Sequence, residues 1–426
     1  MSYIERITDK QLRRKLNALG GVLITGPKGC GKTTTGKHFA KSIVEFQDEN
    51  ERENLILIAN TKPSDLLIGE KPRLFDEWQD APKIWGAIRK SIDDEQLIGA
   101  YILTGSSSQK VKTPHTGTLR ISNLKMYPMS SFESKDSNGQ VSLMGLFENP
   151  NAFVGCKSDL SIDDIKFLVC RGGWPRAITL ENKDAKLEIA RDLFKQTCEV
   201  DISNIDNVKR NSRWAKAIMS SYARNICTLA TAKTIMQDVN SNYEISKVAY
   251  YEYINALNDL CIIEDVDSWN ASIRSKTAIR SAHKRNFIDP SLATAALEIT
   301  PDYFIRDYKT LGFLFESLVL RDLKVYSSAY DGHISYYNDR YGLEADAVLR
   351  LGDGRYALIE IKLGQTEVEE GAKHLNKIER LIKEYNENET QVPLRLPDLK
   401  IVITGTQYGY KREDGVFVIP IGCLKD

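Results

Sequence analysis

The segment Gly26-Pro27-Lys28-Gly29-Cys30-Gly31-Lys32-Thr33 constrains this chain more than any other, because it follows the apolar run Val22–Thr25 and opens a helix-compatible stretch. A G-x-x-x-x-G-K-T string between a strand and a helix is a phosphate-binding loop. Its glycines let the backbone curl until successive N–H groups point at phosphate oxygens, and the helix N-terminus adds partial positive charge. Lys32 supplies a point charge to the β- and γ-phosphates and Thr33 a hydroxyl to Mg²⁺. The residues from Gly26 through Thr34 are therefore the expected binding segment for ATP. A purely structural glycine-rich turn has no need of the Lys-Thr pair.

Such a loop belongs to a parallel sheet covered by helices, and the flanking sequence has that rhythm. The runs VLIT, LILIA, RLF, YILT and LKMY are candidate strands between Gly21 and about Tyr127, separated by helix-like polar stretches. With 426 residues, two or three domains are expected. The reading is an α/β domain over 1–160, a helical region over 161–302 and a second α/β domain over 303–426. SFESKDSNGQ, from Ser131, reads as a surface loop leaving the first domain. Lys+Arg and Asp+Glu are 58 each, so affinity for nucleic acid needs a local basic patch rather than a global field. Seven scattered cysteines with no C-x-x-C argue against a disulfide scaffold or zinc ribbon and for a reducing, cytoplasmic setting. The apolar runs are strand-length, so neither a signal peptide nor a membrane span is expected. The five histidines have no paired spacing and there is no G-x-S-x-G elbow, which leaves zinc and serine hydrolase chemistry without support.

A nucleotide hydrolase needs a carboxylate at the end of a neighbouring strand. Leu74-Phe75-Asp76-Glu77 provides two, Asp76 to orient the metal and Glu77 to polarise water, although two acids at a helix start are also an ordinary pattern. Ser106, just beyond Tyr101–Thr104, is placed to sense the γ-phosphate or hold water; alternatively it is part of a Ser-rich turn. Arg120 is a candidate cation for transition-state charge, donated in trans if the chain assembles into a homo-oligomer, or else a surface ion-pair partner.

GPKGCGKT, LFDEWQ, ILTGSSS, HTGTLRISNLKMYPMSSFE and RGGWPRA together resemble the prokaryotic AAA-type ATPases that carry a C-terminal domain of unknown function. The likeness covers nearly the whole chain. It implies an AAA-type P-loop sheet with Lys32 and Thr33 in the first nucleotide motif, Asp76 and Glu77 in the second, and Ser106 on the sensor strand. Arg120 is assigned on its place in HTGTLRI. Arg171 and Arg176 flank GGWP without an assigned role.

In the middle region, Ile245, Val248, Tyr251, Ile254, Leu257 and Leu260 recur at helical spacing. Together with Thr231–Val239 before them and the strand-like CIIEDV after, they read as a winged helix-turn-helix. The basic run Arg274, Lys276, Arg280, Lys284, Arg285 suits DNA phosphate contact, and equally a solvated face.

In the last region, a hairpin centred on Asp353 would set Asp346 opposite Glu360 across two strands, with Lys362 on the same side as Glu360. With Glu316 on the preceding helix, this resembles the PD-(D/E)xK nuclease constellation. The resemblance implies Asp346 and Glu360 as Mg²⁺ ligands, Glu316 completing the shell and Lys362 acting on the attacking water. The proline before the aspartate is absent, since the chain reads Gly342-Leu343-Glu344-Ala345-Asp346. The plainer alternative is a cross-strand ion pair.

Overall fold

Five short strands, each too short to stand alone, pair side by side into a wholly parallel sheet. They are β1 (Gly21–Thr25), β2 (Ser42–Glu45), β3 (Arg73–Asp76), β4 (Tyr101–Thr104) and β5 (Ile121–Lys125), in the order β2-β3-β4-β1-β5. The computed structural model describes residues 3–105, 117–206, 208–271, 282–339, 341–388 and 393–426. Its contacts form two units. The first comprises Met1–Pro128, Val200–Arg210 and Ile254–Ile262; the second comprises Met129–Glu199, Asn211–Tyr253 and Ile263–Asp426.

In the first unit, alternation along the strands sorts side chains to two cores. Leu74, Ile102, Val22 and Ile24 bury against Leu12 and Leu16 of α1 (Thr8–Leu16). Phe75, Tyr101 and Leu103 bury with Trp85, Ile88 and Ile92 of α4 (Ile84–Glu95). Both faces are apolar, as expected for a parallel sheet, and each large side chain buried is worth roughly 1.5–3 kcal/mol. Between them in the chain lie α2 (Lys32–Phe39) and α3 (Arg52–Thr61). The LILIA run expected as a strand is part of α3, where Leu57 is exposed and Ala59 buried. The strand position goes instead to Ser42–Glu45, which buries only Val44. A short apolar run has no periodicity that separates helix from strand, so the choice is tertiary.

The second unit contains a seven-stranded mixed sheet. Its strands are β7 (Cys156–Lys157), β8 (His333–Asn338), β9 (Glu344–Arg350), β10 (Tyr356–Lys362), β11 (Leu399–Thr404), β12 (Tyr408–Lys411) and β13 (Phe417–Pro420). They lie in the order β7-β12-β13-β11-β10-β9-β8, while β6 (Val141–Ser142) pairs separately with β14 (Leu424–Lys425). The long helices Tyr308–Ser328 and Val368–Asn388 belong to this unit.

Residues 129–160, read from sequence with the first domain, pack in the second unit. SFESKDSNGQ is not a surface loop: Ser131, Glu133 and Ser137 are buried. The Ser131 N–H donates to both Asp322 oxygens at 3.2 Å, the Phe132 N–H donates to the Tyr326 hydroxyl, and the Ser137 hydroxyl donates to the Leu424 carbonyl at 2.6 Å. A polar stretch can be buried when its partners are supplied from elsewhere in the chain. The same network reaches RGGWP. Arg321 lies 2.7 Å from Asp322 and 3.0 Å from Asp289, whose carboxylate accepts from the Gly173 N–H at 2.9 Å. The Trp174 indole donates to the Ser291 hydroxyl, and a Cβ on Gly173 would lie 2.0 Å from the Met129 carbonyl oxygen. Arg171, which sequence left without a role, is buried and paired with Asp136 at 2.7 Å.

In the middle region, helices Ala232–Asn240 and Lys247–Asp259 are joined by a turn, and antiparallel bridges link Ile263 to Phe287 and Val266 to Lys284. The buried stripe of the second helix runs through Tyr250, Tyr253 and Leu257, whereas Val248 and Tyr251 are exposed. Of the residues recurring at helical spacing, Ile245, Leu257 and Leu260 are buried, Ile254 is partly buried, and Val248 and Tyr251 face outward.

Removing the Asp322 carboxylate leaves the buried Arg321 guanidinium and the Ser131 N–H undercompensated. Asp322→Ala should cost the second unit about 3–5 kcal/mol. Urea unfolding followed by tryptophan fluorescence measures this, and a loss below about 1 kcal/mol would contradict the structural role assigned to the network.

Candidate active site

In the first unit the phosphate-binding loop leaves the C-terminal end of β1. Gly26 has φ 149°, and a Cβ there would meet the Met126 carbonyl oxygen at 2.2 Å, so the loop can pass this close to the end of β5 only with glycine. Gly31, at φ 103°, precedes the first residue of α2. Lys32 is buried, and its ammonium donates to the carbonyls of Gly26 and Pro27 at 2.9 Å each. Cys30 is buried and Thr34 exposed, while Lys28 at the loop tip pairs with Asp201 at 2.6 Å.

Parallel pairing aligns Asp76 of β3 with Thr104 of β4, and Thr104 with Ile24 of β1. The carboxylate and the loop therefore share one edge of the sheet. Asp76 is 8% exposed; its Oδ1 accepts the Thr33 hydroxyl at 2.8 Å and also the Thr104 hydroxyl. Thr33 and Asp76 together offer hard oxygen ligands beside the lysine, a donor set suited to Mg²⁺. Glu77 follows with φ 54°, a left-handed backbone unusual for a glutamate, and its side chain accepts from the Gln79 amide. Ser106 lies outside the described residues.

Arg120 is not at this edge of its own sheet. It immediately precedes β5, level with Gly21 at the start of β1, and pairs with Asp93 of α4 at 2.8 Å. That placement sets Arg120 at the opposite end of the strands from the loop of its own chain.

Three features escaped the sequence reading. Thr104 was legible only as the last residue of YILT, since its role depends on the β3/β4 register. Gln79 lies two residues past Glu77, and its Oε1 is buried without a hydrogen-bond partner among the described residues. The N-terminal segment braces the loop. Arg6 donates to the carbonyls of Cys30 and Tyr127 at 2.9 Å, and Tyr3 stacks on His38 at 3.8 Å between ring centroids. A single Arg or Tyr near a terminus carries no sequence signal for such contacts.

The second unit brings together the other predicted cluster. The β9/β10 ladder runs from Arg350↔Tyr356 to Ala347↔Ile359, the register that a turn centred on Asp353 requires. Beyond the ladder, Asp346 Oδ2 accepts the Ile361 N–H at 2.8 Å. Lys362 Nζ lies 2.6 Å from Glu360 Oε2, without hydrogen-bond geometry, and 3.6 Å from Asp346 Oδ2. Glu316, on the Tyr308–Ser328 helix, is 2.6 Å from Lys284 Nζ, which also approaches Asp346 Oδ1 at 3.7 Å. His374 Nδ1 lies 3.3 Å from Glu360 Oε1. Glu316, Asp346 and Lys362 line a cleft of about 550 Å³ with Tyr308, Phe313 and Glu367.

Burial, reinforced by the charge of Asp346, pushes the Glu360 and Glu316 carboxyls above the usual range. Burial alone would depress the Lys284 ammonium, but Glu316 and Asp346 hold it raised. Burial likewise opposes ionisation of Asp346, yet Lys284, Lys362 and the Ile361 N–H keep its carboxyl low. A divalent cation does not fit this arrangement as it stands, because an ammonium lies between Glu316 and Asp346. Among the described residues no three His, Cys, Asp or Glu side chains converge to hold a metal.

The same observation corrects the basic-run reading. Lys284 is 4% exposed, and Arg285 pairs with Asp265 at 2.7 Å while donating to the Tyr222 hydroxyl at 3.1 Å. Neither presents its charge to a DNA backbone. Arg274, Lys276 and Arg280 lie outside the described residues.

Comparison with known proteins adds family information. Residues 20–134 match an AAA domain, and residues 162–303 and 311–424 match two separate domains of unknown function, DUF8612 and DUF4143. No curated protein matches the chain. Among solved structures it is similar to the Walker-type ATPase PABY2304 of Pyrococcus abyssi, at 14% identity over 69% of this chain and 96% of that one, with TM-score 0.40. It is also similar to a RuvB variant of Thermotoga maritima, at 17% identity over 60% and 88% with TM-score 0.29. For AMPPCP-bound DnaA from Aquifex aeolicus the values are 13%, 61%, 88% and 0.28. The superpositions are loose, and it is the AAA-domain match that identifies the first region as an AAA-type P-loop domain. No helix among the described residues is long and apolar enough to cross a membrane.

Thr104→Val removes a hydroxyl from Asp76 while keeping shape. A hydrogen bond to a charged group is worth about 1.5–3 kcal/mol, so nucleotide turnover should fall about tenfold or more with binding nearly unchanged. A steady-state assay beside fluorescent-nucleotide titration checks this; unaltered turnover would make Thr104 a packing residue only.

Proposed function

We propose that this chain, whose residues 20–134 form an AAA-type P-loop domain, binds ATP with Mg²⁺ and hydrolyses it, using the cycle to act on DNA through its middle and C-terminal regions. The observation that carries the nucleotide part is the convergence of Lys32, Thr33, Asp76 and Thr104 at one sheet edge. Loop N–H groups and the Lys32 ammonium bind the phosphates, the lysine exchanging the Gly26 and Pro27 carbonyls for phosphate oxygens. Thr33 and Asp76 hold Mg²⁺, which when bound neutralises phosphate charge. Glu77, steadied by Gln79, takes the proton of the attacking water, and Thr104 fixes the Asp76 carboxylate. Ser106 is retained as a γ-phosphate sensor on its sequence position.

Arg120 acts in trans in this reading. Its place at the far end of β5, 35% exposed at the side chain, suits contact with the loop of a second copy better than with its own. The DNA part rests on the helix-turn-helix with its bridged ribbon and on the likeness of Glu316, Asp346, Glu360 and Lys362 to a nuclease constellation. A second reading, an ATP-switched scaffold whose nuclease-like fold binds without cutting, is favoured by the two ammoniums packed among those carboxylates.

Lys32→Ala should abolish Mg·ATP binding, whereas Glu77→Gln should keep binding and lower kcat about 10²-fold or more. Retained affinity in the first variant would remove the loop assignment; an unchanged rate in the second would make the protein a binder that barely turns ATP over. Mixing Arg120→Ala with Lys32→Ala should restore part of the turnover that each lacks alone, because the mixed interface joins an intact loop to an intact arginine. No restoration would sink the trans role. Incubating linear and circular DNA with Mg²⁺ or Mn²⁺, with and without ATP, beside Lys362→Ala separates the two readings: cleavage lost in that variant supports cutting, and no cleavage supports the scaffold.

A further inference from the structure

We infer that Lys284 is a resident cation that takes the place of a divalent metal between Glu316 and Asp346, so that the C-terminal cleft is closed to metal binding by the chain itself. This deepens the non-cutting reading and rests on it. Glu316 and Asp346 converge on one cation position, and the charge there is already supplied by a side chain of the chain itself. Lys284 Nζ is 2.6 Å from Glu316 Oε1, donates to the Asp346 carbonyl at 3.3 Å and lies 3.7 Å from Asp346 Oδ1. The other Asp346 oxygen is taken by the Ile361 N–H and faces Lys362 at 3.6 Å. Each oxygen of Asp346 thus faces its own ammonium. Mg²⁺ requires oxygens at about 2.0–2.1 Å in octahedral array, and an ammonium in that volume excludes it both by space and by charge.

Lys284 is anchored at its base. Its backbone exchanges both hydrogen bonds with Val266 at 2.9 Å, so it belongs to the bridged ribbon rather than to a loose loop. Two residues on, Asn286 accepts the Ser317 hydroxyl at 2.6 Å, pinning the ribbon to the helix that carries Glu316. The Tyr336 ring lies 5.6 Å from the ammonium, and the side chain is 4% exposed. An exposed lysine near acids is an ordinary surface ion pair; one this buried and this fixed is built into the site.

The test uses the full chain without nucleotide and Mn²⁺ as probe, read by thermal unfolding and by Mn²⁺ paramagnetic resonance. The wild type should show no Mn²⁺ binding that depends on Glu316. Lys284→Met should bind Mn²⁺ and gain an upward Tm shift of at least about 2–4 °C at saturating metal, and Lys284→Met/Glu316→Gln should lose both. Wild-type Mn²⁺ binding abolished by Glu316→Gln would overturn the inference directly, whatever the folding of the other variants. So would a Lys284→Met protein that neither binds nor is stabilised by Mn²⁺, including one that stays unfolded with metal present. A Lys284→Met protein that folds only with Mn²⁺ would support it. The DNA incubation above is scored separately: absence of cleavage with wild-type metal binding would keep the scaffold reading and remove only the role of Lys284.

Discussion

The parallel register of β3, β4 and β1 is the constraint on which the nucleotide site depends. One row of that sheet contains Asp76, Thr104 and Ile24, and two residues past Ile24 the backbone turns into the phosphate loop. Because side chains alternate along a strand, a slip of one residue would turn Asp76 to the opposite face and out of reach of Thr33. The apolar residues next to these polar ones hold the register: Leu74 and Phe75 bury to opposite cores, so neither can be moved without exposing the other. Packing in two layers thereby fixes the position of a carboxylate that contributes nothing to the packing.

The second unit solves a different problem, which is how to bury charge. Arg321 is matched by Asp289 and Asp322, and Lys284 by Glu316 and Asp346, each cation nearly without exposure. Buried pairs of this kind add little net stability over apolar packing, but breaking one partner is costly, so they favour a single arrangement of the segments they join. The Arg321 network fixes RGGWP and the Ser131 turn onto one helix, and the Lys284 network fixes the bridged ribbon onto the same helix about one and a half turns earlier. Function in this unit has to be compatible with those locks.

Much of both sites was legible, for reasons that can be named. GPKGCGKT carries its geometry in its composition, since a loop this rich in glycine followed by Lys-Thr has few other uses. The Asp353 turn, with Gly354 beside it, placed Asp346 and Glu360 on neighbouring strands because hairpin register follows from the turn. What was misread has equally specific causes. LILIA is apolar enough for either helix or strand; SFESKDSNGQ is polar but receives hydrogen-bond partners from residues 191 to 287 positions away. Lys284 looked like one member of a basic run, because nothing in its neighbours announces Glu316.

The sequence by itself determined the local chemistry: a phosphate-binding loop, an acid at a strand end, a hairpin with carboxylates in register, and the alternation that makes the sheets. These are short-range properties, set by backbone freedom and side-chain period within a few residues. Only the tertiary structure decided which charges face ligand and which are already satisfied. Arg120 pairs with Asp93 away from its own loop, Thr104 joins Asp76, and Lys284 fills the space between Glu316 and Asp346. The physical reason is that electrostatic partnership depends on distance and burial in three dimensions, and the chain separations involved are far longer than any pattern a local reading can register.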